Sequence, residues 1–168
     1  MARAMVRLSL LVTLAIALHV LEAQLPSPFV IPGAKLGLAN VATVVAMALG
    51  GWRQGLAVAL LRTTLGALLT GTLFSFSYLL SFGGAVAAAL VMGAMRRLEG
   101  YFSLIGVSLA GAVAHNVAQV SIAAYLVRQA GVLFYLPYLL LFAVPTGFFT
   151  GLVATYLVRA LWGRLSLE

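Results

Sequence analysis

The sequence predicts an all-α integral membrane protein, a bundle of six transmembrane helices. Three observations predict it. Hydrophobic residues make up 64% of the 168 positions, and the mean hydropathy is +1.14. Charged residues make up only 8%, against about 25% in a soluble domain. The arginines sit between apolar runs, several of which approach the roughly 20 residues that a spanning helix needs.

Taken in order, span one covers about 6–22. It ends after Glu22, where "LPSPFVIPG" brings three prolines that break a helix. Arg3 and Arg7 precede its apolar core, as in a signal peptide. The core is longer than a signal core, and "LEAQ" is a poor cleavage site, so span one is expected to stay in place. Span two, about 37–50, is short; "GGWRQG" marks a tight turn into span three, about 54–72. Span four covers about 77–95 and ends at "MRRLEG"; span five covers about 102–127 and ends at "RQAG". Span six covers about 133–160, with Pro145 expected to kink it. Gly147 and Gly151 in span six, and Ala110 and Ala114 in span five, have the small-xxx-small spacing that lets helix backbones approach closely.

The basic residues orient this bundle. With both termini cytoplasmic, the inner side carries Arg3, Arg7, Arg53, Arg96, Arg97, Arg159 and Arg164, and the outer side carries Lys35 and Arg128. That split obeys the positive-inside rule. The net charge of +7 is thus a mark of topology, and no nucleic-acid partner is expected. Arg62 fits neither side.

Composition also excludes chemistry. The chain has no cysteine and no aspartate, and its acids are Glu22, Glu99 and Glu168. A Mg²⁺ or Ca²⁺ site of several carboxylates and a paired-carboxylate hydrolase are both excluded within one chain. Ser75, Ser77 and Ser81 have no aspartate to complete a triad. No phosphate-binding GxxxxGK[ST] loop is present. A zinc site would need both histidines, His19 and His115, together with Glu22. No metal, cofactor or catalytic residue is expected.

Polar groups inside hydrocarbon are costly, so each points to a partner or a ligand. Arg62 lies eight residues beyond Gln54, about 12 Å along span three. It cannot readily lose its charge. It must either face a cavity or an anionic ligand, or snorkel toward the cytoplasm. In "AHNVAQ", His115 and Gln119 share a face with Ser108, and Asn116 is one step round. This stripe either lines a cavity or bonds between helices. Glu22, one turn after His19, ends span one, and Lys35 and Asn40 follow the Pro-rich loop. Folded back over the bundle, that loop would present Lys35 at the outer mouth of a site. Phe74, Phe76 and Tyr78 are candidates for an apolar lid there, with Glu22 at the same mouth.

Four strings then stand out: "PGAKLGLAN" (32–40), "LLRTTLGALLTGTLFSFSYLLSFGGA" (60–85), "GVSLAGAVAHNVAQ" (106–119) and "YLPYLLLFAVPTGFFTG" (135–151). With them the chain resembles the Gx transporter family, often labelled heptaprenyl diphosphate synthase component I. That family is similar to the substrate-binding S components of energy-coupling factor (ECF) transporters. The resemblance implies a six-helix membrane protein that takes a small molecule from outside and works with a membrane coupling subunit and ATPases. It also implies substrate contacts at Lys35, Asn40, Arg62, His115, Asn116 and Gln119. The Ala-x-x-x-Ala docking pattern common on the first helix of S components is absent, since Ala15 is followed by His19 and Ala17 by Leu21. Prenyl diphosphate synthases hold Mg²⁺ with aspartate-rich motifs that neutralise the leaving group, and a chain without aspartate has no such motif.

Two functions follow as expectations. One is a transport subunit for a small anionic or amphipathic substrate, such as an isoprenoid or quinone precursor. The other is a non-catalytic membrane accessory subunit or scaffold for a separate prenyl diphosphate synthase. A cavity lined by spans two, three and five favours the first, and a packed core the second. The topology is testable directly. Cysteines placed near residues 30 and 130 should react with an impermeant thiol reagent added outside sealed cells. One near residue 97 should not, and its labelling would overturn the orientation.

Overall fold

A computed structural model describes residues 2–24, 37–98 and 101–165. Lys35 and Glu99 lie outside the described residues, as does the Pro-rich loop around residues 26–32. Among the described residues the regular structure is entirely helical. Helices α1 (Ala2–Gln24), α2 (Leu38–Leu69), α3 (Phe76–Arg97), α4 (Leu104–Val127) and α5 (Leu136–Leu165) follow one another, with a 3₁₀ turn, Ala130–Tyr135, leading into α5. Four stretches are long and apolar enough to cross a bilayer: Ala39–Leu69, Phe76–Arg97, Leu104–Val127 and Ala130–Leu161. A shorter apolar stretch, Leu8–Glu22, lies in α1. The protein is therefore an all-helical membrane protein.

The difference from six predicted spans lies in α1, whose apolar stretch is the shorter Leu8–Glu22, and in α2, where predicted spans two and three form one helical run. That run is not straight. Gly51 has φ 80 and ψ 176, outside the helical region. A Cβ added at Gly55 would stand 2.8 Å from the Met47 Cβ, although eight residues of continuous helix span about 12 Å. Arg62 bonds to Asn40, 22 residues earlier, which a straight helix would hold about 33 Å away. The chain thus reverses at Gly51, and α2 is a helical hairpin with a first arm, 38–50, and a second arm, 52–69.

The first arm is the centre of the bundle. All seven residues from Val41 to Met47 are buried, as expected of a helix that is apolar on every side. One face meets Val12 and Ala15 of α1 and Val58 of the second arm. Another meets Ala88 and Met92 of α3, Val107 of α4 and Ala154 of α5. Around it the second arm, α3, α4 and α5 follow as neighbours, and α5 returns to α2. Trp52, just past the turn, lies 5.7 Å from the Arg53 guanidinium and 5.3 Å from that of Arg97, measured to the ring centroid. The hairpin turn and the end of α3 therefore share one end of the bundle.

Local chemistry sets the remaining ends. Ser75 and Ser103 cap α3 and α4, accepting bonds of 3.2 Å from the Tyr78 and Gly106 amides. Helix α5 runs through Pro145 without interruption. Its glycine pair brings its backbone close to that of α4. A methyl at Gly151 would stand 2.6 Å from the Ile105 Cα, and one at Gly147 would stand 3.0 Å from the Leu109 Cα. The α4 surface met there comprises Ile105, Ser108, Leu109 and Ala112, rather than Ala110 and Ala114.

The φ and ψ of Gly51 belong to a region that only glycine enters freely. Gly51→Ala should therefore destabilise the hairpin by about 1–3 kcal/mol. The measurement is thermal unfolding in mild detergent, and an unchanged melting temperature would contradict the reversal at this residue.

Candidate functional site

The two arms of the hairpin hold a buried charge between them. Arg62, on the second arm, is 5% exposed. Its Nη2 donates to Asn40 Oδ1 at 2.5 Å and its Nε donates to Thr43 Oγ1 at 3.3 Å. Both acceptors are on the first arm, three residues apart and so on one face. Hydrogen bonds to charged groups are each worth about 1.5–3 kcal/mol, the same scale as the roughly 2.5–3.5 kcal/mol insertion cost of a central arginine. Two such bonds make the position tolerable while leaving the charge in place.

A second charge sits beside this pair. The Glu22 carboxylate, at the end of α1, accepts the Gly37 amide at 2.6 Å. Gly37 immediately precedes the first arm and has a left-handed φ of 74. Its carbonyl in turn accepts from the Asn40 amide at 2.9 Å and from Thr150 Oγ1 of α5 at 3.5 Å. Arg62 feels the charge of Glu22 electrostatically. The first arm has 13 residues, about 20 Å of helix, so its N-terminus stops short of a full 30 Å crossing. Such half-helix ends carry a partial positive charge into the bundle, and Glu22 lies on this one.

These groups open onto one cavity of about 60 Å³. A single water needs about 10–15 Å³ of such space, so the cavity takes a few waters or one compact polar group. Arg62, Asn40, Glu22 and His19 line it from one side, and His115 and Asn116 of α4 line it too. Ser81, Ser108, Thr146 and Thr150 add hydroxyls; Ala88, Met92, Leu139 and Phe142 supply apolar wall. Asn116 is anchored by donating from Nδ2 to the Leu139 carbonyl of α5 at 2.9 Å. Both histidine rings rest on glycines of a facing helix. A Cβ at Gly66 would stand 2.5 Å from His19 Cδ2, and one at Gly84 would stand 2.8 Å from His115 Nδ1. Although His19, Glu22 and His115 share the cavity, no three His, Asp or Glu side chains among the described residues converge as a metal-binding group.

Of the residues expected to contact substrate or stand at its mouth, the structure brings five together: Glu22, Asn40, Arg62, His115 and Asn116. Gln119, one turn beyond His115, is buried, and its Cγ would stand 3.0 Å from a Cβ at Gly84; it packs on α3 outside the cavity lining. Phe76 is 49% exposed. Tyr78 shares a 3.3 Å hydrogen bond with Thr64 and makes an edge contact with Phe74 at 6.0 Å. These aromatics cover the junction of α2 and α3 rather than the cavity. Sequence reasoning missed Thr43, although a threonine three residues after Asn40 in "NVATVV" shares its face. It also missed Thr63, Thr146 and Thr150, polar residues within apolar runs.

No curated protein and no solved structure matches the chain significantly. The sequence pattern of one family, described as heptaprenyl diphosphate synthase component I, matches residues 11–157. The match includes α2, α3 and α4 entire, every described cavity residue and most of α5. With most of its length accounted for in this way, the chain belongs to the heptaprenyl diphosphate synthase component I family.

Proposed function

We propose that the protein is a membrane transport subunit, similar in role to the S components of ECF transporters. It binds a small anionic or amphipathic molecule, such as an isoprenoid or quinone precursor, and moves it across the bilayer. The observation that carries this reading is the cavity built on Arg62. A permanent charge buried at the centre of an apolar bundle, held by neutral acceptors and open to a polar space, suits the head group of an anion. Asn40, His115 and Asn116 would add hydrogen bonds, and the apolar wall of Met92, Leu139 and Phe142 would face the rest of the molecule. Lys35, two residues before Gly37 in the chain, would add charge at the outer entrance. In this reading the hairpin arms count separately, the bundle has six crossing segments with the first arm the short one, and both termini are cytoplasmic. The partners are a membrane coupling subunit and ATPases.

The description of the family favours a second reading. It names one component of a synthase, which suits a non-catalytic membrane subunit that positions a separate prenyl diphosphate synthase. An aspartate-free chain does not itself neutralise a diphosphate leaving group with Mg²⁺ in the aspartate-rich manner.

Native mass spectrometry of the protein purified in mild detergent should reveal a co-purifying small molecule. Arg62→Ala should leave the protein folded, yet weaken binding of that molecule at least tenfold, about 1.4 kcal/mol. Arg62→Lys should restore only part, because an ammonium lacks the planar fork that fits carboxylate or phosphate. If Arg62→Ala unfolds the protein while its folded fraction binds normally, Arg62 is a structural ion and the transport reading loses its site.

A further inference from the structure

We infer that Glu22 restricts this cavity to ligands with a single anionic group, a carboxylate for example, and rejects polyanions such as diphosphates. The inference rests on the ligand-site reading above and adds the charge class that the site accepts.

Two features of the cavity attract anions: the Arg62 guanidinium and the N-terminus of the first arm. They are not equally available. The helix end is already occupied, because Glu22 accepts the Gly37 amide at 2.6 Å. Glu22 thus plays, within the chain, the part that a ligand anion plays at other half-helix ends. Arg62 differs. It donates to Asn40 and Thr43, which are neutral acceptors, and so its charge is not compensated by them. Among the described residues lining the cavity stand one guanidinium, Arg62, and one carboxylate, Glu22. The cavity is also lined by the imidazole rings of His19 and His115.

A monoanion can pair with Arg62 and leave Glu22 on Gly37. A diphosphate brings further negative charge into a space of about 60 Å³, where it must approach the Glu22 carboxylate or displace it from the helix end. Like charges so placed in a low-dielectric site discriminate strongly between ligands. The same carboxylate gives α1 a role in recognition, since it is the acid that this helix brings to the cavity.

The test uses two probes with the same fifteen-carbon chain, farnesoate and farnesyl diphosphate, on the full-length protein in mild detergent at pH 8. Affinities are read by isothermal titration. Wild type should bind farnesoate at least tenfold more tightly than farnesyl diphosphate. Glu22→Gln keeps the size and the acceptor for the Gly37 amide but removes the charge. It should raise the affinity for farnesyl diphosphate at least tenfold, an effect that a purely steric exclusion would not produce. Arg62→Ala should abolish farnesoate binding. If both probes bind through Arg62 and their ratio is the same in wild type and Glu22→Gln, the role of Glu22 is overturned and the ligand site stands. If neither probe shows Arg62-dependent binding, the ligand site and the role of Glu22 fail together. Circular dichroism establishes that each variant is folded.

Discussion

One buried guanidinium ties the two arms of the central hairpin together and marks their register. Arg62 is a permanent charge in the middle of an apolar helix, and its nearest polar partners are not on its own helix but on the preceding arm. For Asn40 and Thr43 to reach it, the chain must reverse at Gly51 and run back in register. The hydrogen bonds and the hairpin therefore specify each other. Shifting one arm against the other by a single residue would move Arg62 off its acceptors and strand a charge in hydrocarbon.

The same hairpin explains why the core and the cavity lie side by side. Apart from Thr43, the first arm is apolar from Val41 to Met47 and so can be surrounded by helices on all sides. Its two polar residues near the start, Asn40 and Thr43, mark where the apolar core gives way to the cavity. Because the arm is short, its beginning lies within the bundle, where its free amide end needs a partner. Glu22 supplies that partner at Gly37, and Thr150 of α5 reaches the carbonyl of the same residue. Three elements far apart in the chain thus meet at one glycine. Close backbone contact at Gly147 and Gly151 draws α5 against α4, which closes the ring on its other side.

Belonging to a family described as a synthase component does not make this chain a catalyst. The side chains around the cavity are hydrogen-bond donors and acceptors with one cation and one carboxylate, a set suited to holding a polar group. The cavity joins a buried guanidinium, a small polar space and apolar walls.

Much of the fold was legible in the sequence. Predicted spans at 77–95, 102–127 and 133–160 became Phe76–Arg97, Leu104–Val127 and Leu136–Leu165, because apolar runs end where Arg, Gly or a capping Ser begins. Burying polar groups in hydrocarbon is costly enough that Arg62, Asn40, His115 and Asn116 could be picked by their chemistry alone. What the sequence could not specify was pairing. The sequence left Arg62 either facing a cavity or snorkelling, and only the register of the hairpin assigned it to Asn40 and Thr43. Glu22 was legible only as an acid at the mouth of a site, and the tertiary structure placed it on the Gly37 amide. Gln119 shares a helical face with His115, yet the packing of α3 at Gly84 covers it. By itself the sequence determined a helical membrane bundle with a buried cation, since composition and run length decide those through transfer energies. The tertiary structure decided which groups meet, since that depends on the turn at Gly51 and the close contacts at Gly84 and Gly151, where position in space rather than chemical type selects the partner.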